Sequence, residues 1–147
     1  MSAVVVGVDS SEGAKEALRF ALEEARLRDL PVRAVHAWRY IPAAIGFPES
    51  GYPPEVDVAQ LREAAEAALE ATVAEVAGES PGVEIGRRVV EGPAAGVLVD
   101  ESRDAALLVV GSRGHGGFTG LLLGSVSQQV ANHAACPVVI VRPRATG

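Results

Sequence analysis

Short β-branched runs alternate with longer stretches of helical period along the 147-residue chain. Ala3 to Val8 is apolar and too short for a helix, so it reads as a buried strand. Asp9, Ser10 and Ser11 follow as turn and N-cap residues. From Glu12 to Arg28, Ala14, Leu18, Ala21, Leu22 and Ala25 recur on one helical face, and Leu30-Pro31 ends that helix. Val32 to Trp38 is a second strand. The stretch 40–55 carries Pro42, Gly46, Pro48, Gly51, Pro53 and Pro54, too many breakers for a regular element. Val56 to Ala77 is an Ala/Glu-rich helix with Leu61, Ala65, Ala68, Leu69, Thr72 and Val76 on one side. Val83 to Val90 is a half-polar strand, expected near a sheet edge. Gly92-Pro93 opens a helix to about Ser102, with proline expected at the first helical position. Ala106 to Val110 is apolar throughout and therefore a central strand. A glycine-rich loop runs from Gly111 to Gly124, Ser125 to Ala134 is a short helix, and Pro137 to Val141 is the last strand.

The order is βαβαβαβαβ. Strands joined by helices run parallel with right-handed crossovers. The expected fold is therefore α/β: a doubly wound, five-stranded parallel sheet with helices on both faces. One domain is expected over residues 1–147, without linker or repeat. Aromatics are only 4% against 48% hydrophobic residues, so Val, Leu, Ile and Ala must build the core, as in a sheet buried on both faces.

Charge narrows the partners. The net charge is −6 and there is one lysine, Lys15, which argues against a nucleic-acid or anionic-membrane surface. Any polyphosphate must be held by local donors. One cysteine, Cys136, excludes an internal disulfide framework and reads as a small buried filler. The apolar start from Met1 to Gly7 lacks the basic region of a signal peptide, and no run reaches the roughly 18 apolar residues of a membrane span. A cytoplasmic protein is expected.

Ligands of open α/β sheets bind beyond the carboxyl ends of the strands where the winding reverses. Two loops qualify, those after the first and fourth strands. In the second, Gly111 and Gly114 let backbone N–H groups approach a ligand closely. Gly124-Ser125 stands at a helix start, where free N–H groups and the dipole favour phosphate. The hydroxyls of Ser125 and Ser127 can add donors or meet a cation. Neither a P-loop nor a dinucleotide fingerprint is present: no lysine follows these glycines, and the turn after the first strand lacks G-x-G-x-x-G. Asp9, which ends the first strand's apolar run, can accept from a ribose hydroxyl or adenine amino group, or simply cap the helix.

These residues resemble the universal stress protein family. Its nucleotide-binding branch carries G-x2-G-x9-G-[ST], matched here by Gly111, Gly114, Gly124 and Ser125. Val4-Val5-Val6-Gly7-Val8-Asp9-Ser10-Ser11-Glu12 resembles the family's first strand and acidic turn, Val35-His36-Ala37-Trp38 the end of its second strand, and Cys136 to Arg142 its last strand. Ser10 stands where many relatives have glycine. The resemblance implies a Rossmann-like, adenine nucleotide α-hydrolase-like fold that holds ATP, alone or with Mg2+. By position, Gly7 and Asp9 belong to the nucleoside end, with Asp9 on the ribose, Ala37 near adenine and Val110 at the base edge. Gly111, Gly114, Gly124, Ser125, Val126 and Ser127 would hold ribose and phosphates. It also implies a homodimer through the C-terminal strand.

The remaining candidates carry less. His36, His115 and His133 are too scattered for a metal triad. Arg113 and His115 can reach phosphate or stand solvated, and Trp38 and Tyr40 can pack over a nucleotide or close the core edge. An ATP-binding regulatory module is the leading expectation. The alternatives are a slow ATP hydrolase or phosphotransferase, for which the glycine loop offers no acidic residue, and a dimerisation module with a structural nucleotide.

Overall fold

The computed structural model describes residues 2–9, 11–39, 57–112 and 123–143. Five strands, β1 (Ala3–Gly7), β2 (Val32–Trp38), β3 (Ile85–Glu91), β4 (Ala105–Gly111) and β5 (Val138–Val141), alternate with four helices, α1 (Glu12–Arg28), α2 (Val58–Ala77), α3 (Ala94–Glu101) and α4 (Ser125–His133). The sheet order is β3-β2-β1-β4-β5 and every pairing is parallel. The winding reverses between β1 and β4. The half-polar strand, β3, is an edge as expected, while β4 lies one strand in from the β5 edge.

The period of two along each strand divides the core into two layers. Val4, Val6, Leu107, Val109, Val32 and Ala34 pack with the buried faces of α1 and α2, including Leu18, Leu22, Leu69 and Val73. Val5, Val35, Leu108 and Val110 pack on the other side against Val97 and Leu98 of α3 and Val130 of α4. The aliphatic composition is thus consumed by a sheet buried on both sides.

Caps explain where the expected boundaries moved. α2 starts at Val58 rather than Val56, because Asp57 accepts from the Ala59 N–H at 2.9 Å. Pro93 is the N-cap of α3, with an extended ψ of 136°, rather than its first helical residue. Gly92 before it has φ +148°, a backbone state that favours glycine. α3 stops at Glu101 and tightens into a 3-10 turn, Ser102–Asp104. Ser102 is 1% exposed; its hydroxyl donates to Val99 O at 2.6 Å and accepts from Ala135 N at 2.8 Å, fastening the end of α3 to the approach to β5.

The two helical layers also carry ion pairs. The only lysine, Lys15, bridges Glu12 at 3.1 Å and Glu75 at 3.0 Å, joining α1 to α2. Below α3, Arg33 of β2 meets Asp104 at 2.7 Å and Glu101 at 3.2 Å, and Glu101 also takes Arg88 of β3. The hydrogen bond from Arg33 holds the Asp104 carboxyl below its ordinary value. A depressed carboxylate stabilises the fold fully above its unfolded pKa of about 3.9, and that share is lost as pH falls through the lower folded value. The melting temperature of wild type should therefore exceed that of Asp104→Asn at neutral pH, with the gap closing in acid. A gap that persists unchanged below about pH 3 would show that the pair contributes nothing through charge.

Among the described residues, no helix is long and apolar enough to cross a membrane.

Candidate functional site

The site is built on the ends of β1 and β4, where the winding reverses. On the first side, the chain leaves β1 through Val8 and Asp9. Val8 N donates to Val35 O at 2.8 Å, and Val8 O lies 2.7 Å from His36 Nδ1. A carbonyl cannot donate, so that ring nitrogen carries the proton and His36 tethers the turn after β1 to β2. Asp9 does not cap α1. Ser11 does, its hydroxyl accepting from Ala14 N at 3.1 Å. Asp9 Oδ1 in turn accepts from Ser11 N at 3.0 Å and from Ser11 Oγ at 2.5 Å. The carboxylate thus sets the cap residue's orientation, and an Asx-type turn replaces the direct cap.

On the second side, Gly111 ends β4 against the first turn of α1. A Cβ at Gly111 would lie 3.1 Å from Gly13 O and 3.2 Å from Gly13 C. The absence of a side chain lets the two loops of the site touch. Ser112 comes next and is 3% exposed. Its N–H continues the ladder to Val141 O at 2.9 Å, and its carbonyl accepts from Gly124 N at 2.7 Å. The far end of the glycine-rich loop is thereby brought back onto its beginning.

Gly124 is the N-cap of α4, with φ −74° and ψ 170°, and no side chain caps the helix there. The first-turn N–H groups have no intrahelical acceptors, and the helix dipole adds positive potential. Ser125 is exposed on this turn, whereas Ser127 is 2% exposed. The Ser127 hydroxyl is 3.0 Å from Ser112 O and 3.0 Å from Gly124 O. It is turned onto the loop's own backbone.

The other expected residues divide. Val110 and the half-buried Val126 and Ala37 belong to the core layer under α3 and α4, so they can offer a ligand apolar surface or backbone. A Cβ on Gly7 would lie 2.9 Å from Leu98 Cδ1 and 3.6 Å from Val110 Cγ1, so α3 packs closely over this glycine. Gly114, Arg113, His115 and Tyr40 lie outside the described residues. Trp38 is half-buried, its carbonyl accepting from Gly92 N at 2.8 Å. Ser112 was missed, and nothing in the sequence flags it, since its partners stand 12 to 29 positions away.

Lys15 is held by Glu12 and Glu75 and cannot play the part of a P-loop lysine. Burial pushes the Cys136 thiol up, the opposite of what a poised nucleophile needs. Among the described residues, no three His, Cys, Asp or Glu side chains cluster as a metal site would require. A groove of about 920 Å³ runs between α2 and β3, but it lies two strands from β1; Arg87 pairs with Glu70 across it and Arg62 with Glu66 along α2.

Comparison with known proteins accords with this geometry. A universal stress protein of Mycolicibacterium smegmatis is 39% identical over 142 residues, 96% of this chain and 46% of the relative. The chain thus spans about half the length of the curated relatives it matches. Among solved structures, a universal stress protein in complex with cAMP superposes with a TM-score of 0.69 at 27% identity, covering 96% of each chain. The universal stress protein of Archaeoglobus fulgidus in complex with dAMP superposes with a TM-score of 0.67 at 28% identity, covering 95% of this chain and 97% of that one. The profile of the universal stress protein family matches residues 1–142, and with it the five-stranded parallel sheet, the turn at Asp9 and the glycine spacing find one explanation: the chain belongs to the universal stress protein family.

Proposed function

We propose that this chain binds an adenine nucleotide, ATP foremost, across the ends of β1 and β4, and that it acts as a regulatory module in stress response. The observation that carries the reading is the start of α4: an uncapped helix N-terminus at Gly124, returned by hydrogen bond to Ser112 just past β4, next to Gly111, which abuts the first turn of α1. Phosphates would take the N–H groups of Ser125, Val126 and Ser127. Asp9 would accept from the ribose, and Ala37 and Val110 would border the base. Relatives with cAMP and dAMP bound support the nucleoside half of this reading. ATP rather than a monophosphate rests on the G-x2-G-x9-G-S spacing. Mass spectrometry of the nucleotide released by denaturing purified protein tests it, together with calorimetry of ATP, ADP and AMP. Protein that carries no nucleotide and binds none of the three would overturn it.

Assembly follows from the β5 edge. Val138–Val141 is apolar, half-buried and paired on one side only, with β4. Leu108 N donates to Pro137 O and Ser112 N to Val141 O. By the alternation of a parallel ladder, the backbone groups of Val138 and Ile140 therefore face the open side. An open apolar edge is a liability unless covered, and the same strand of a second copy would cover it in a closed two-fold dimer. Ile140→Pro removes an outward donor while leaving the β4 ladder intact. Light scattering should find a dimeric wild type and a folded, monomeric variant. A wild type that is monomeric at micromolar concentration rules the dimer out, and a variant that stays dimeric places the interface elsewhere.

A further inference from the structure

The motif ends on Gly124-Ser125, yet the most constrained hydroxyl of the loop is two residues further on. Ser127 is 2% exposed, and its single hydroxyl proton has two acceptors at equal distance, Ser112 O and Gly124 O, both at 3.0 Å. These carbonyls belong to the two ends of the loop. Ser112 O also takes the Gly124 N–H at 2.7 Å, so a three-member clasp of Ser112, Gly124 and Ser127 closes the loop at its base. The far side of Ser112 is fixed as well, by its N–H on Val141 O at 2.9 Å. This stem sets the direction of the first-turn N–H groups of α4, because Gly124 is the cap from which they start.

We infer that Ser127 is a positioning residue for nucleotide affinity, acting through the carbonyls of Ser112 and Gly124 and not as a ligand through its side chain. The inference rests on the proposed nucleotide site, whose phosphates would be received by N–H groups that this clasp aims. A hydroxyl already directed at two backbone acceptors and closed off from solvent has no proton to offer a phosphate without undoing the clasp. Ser125, exposed on the same turn, is the hydroxyl left for direct contact. Threonine should substitute for Ser127, since a threonine hydroxyl in a helix readily bonds the carbonyl three residues back, which is the Gly124 contact. Alanine should not, and it would leave the loop stem with one tie fewer.

The two roles separate in the nucleotide-free protein, where a ligand has nothing to do. Amide exchange of Gly124, read by NMR on full-length protein without nucleotide, should be about tenfold faster in Ser127→Ala, the loss of roughly one hydrogen bond, and near wild type in Ser127→Thr. ATP and AMP affinities measured by calorimetry should fall several-fold in the alanine variant and recover in the threonine variant. Unchanged Gly124 exchange with weakened ATP binding would overturn the inference and make Ser127 a direct ligand. Faster exchange with unchanged affinity would equally overturn it, leaving a clasp without bearing on binding. A wild type that binds no nucleotide while Gly124 exchange still responds would instead fail the site reading and remove the inferred role with it. Should Ser127→Ala not fold, Ser127→Cys, of similar size with a weak donor, carries the same comparison.

Discussion

Gly111→Val should cost this protein both its stability and its nucleotide. The glycine ends β4 where the first turn of α1 crosses it, and a Cβ there would stand 3.1 Å from Gly13 O, 3.2 Å from Gly13 C and 3.6 Å from Gly13 Cα. All three atoms are main chain, so no side chain can swing aside to make room. A branched side chain would have to push the start of α1 away from β4. The expected destabilisation is about 1–3 kcal/mol, the usual range for overpacking a tight contact, or a fall of roughly 2–10 °C in melting temperature for a chain of this size. The same displacement moves Ser11 and Asp9, which sit at that end of α1, relative to the glycine loop. ATP binding should drop below what calorimetry measures even at temperatures where the variant is folded. Gly114→Val is the comparison: it changes the loop itself, and its expected effect is weaker ATP binding in a protein that melts near wild type. If Gly111→Val melts at the wild-type temperature and only binding is lost, the demand for glycine at 111 comes from the ligand and not from Gly13.

That double role shows where sequence reading reaches and where it stops. The strands and helices were legible because each depends on neighbours in sequence: apolar, mostly β-branched runs of four to seven residues, apolar positions at helical spacing, proline and glycine between them. The switch point between β1 and β4, where a ligand is expected, was legible too, since strand order and crossover handedness fix it once the elements are known. Boundaries slipped where a cap outweighed periodicity. α2 starts at Val58, after its cap Asp57, and α3 starts at Ala94, after Pro93, which caps it. What could not be read was how closely distant elements approach each glycine. Leu98 of α3, 91 positions on, lies against Gly7. Ser112 and Ser127 look like ordinary loop and helix serines until the fold buries both and turns the Ser127 hydroxyl onto the Ser112 carbonyl. Such contacts join residues distant in sequence, and local pattern carries no trace of them.

At the other end of the site, Asp9→Ala should weaken ATP, AMP and adenosine by a similar factor, about 10–100-fold, as expected for losing a hydrogen bond to a charged acceptor at the nucleoside. Two effects must be separated. The carboxylate accepts from both the N–H and the hydroxyl of Ser11, and Ser11 caps α1 through Ala14 N, so alanine at position 9 also loosens the cap. Losing a cap costs about 0.5–2 kcal/mol of stability. Ser11→Ala isolates that part: it removes the cap and keeps the carboxylate, so it should lower the melting temperature with only a modest effect on affinity. Asp9→Asn isolates the other: the amide oxygen can still accept from Ser11, so stability should stay near wild type while the charge is gone and nucleoside affinity falls. Adenosine is the decisive ligand, because it has no phosphate for the glycine loop or for a cation to hold. If Asp9→Ala leaves adenosine untouched and weakens ATP alone, Asp9 works at the phosphate end, and a metal-assisted phosphoryl transfer becomes the better account of the site. If Ser11→Ala alone reproduces the full loss of affinity, Asp9 acts only by holding the cap, and the ribose needs another partner.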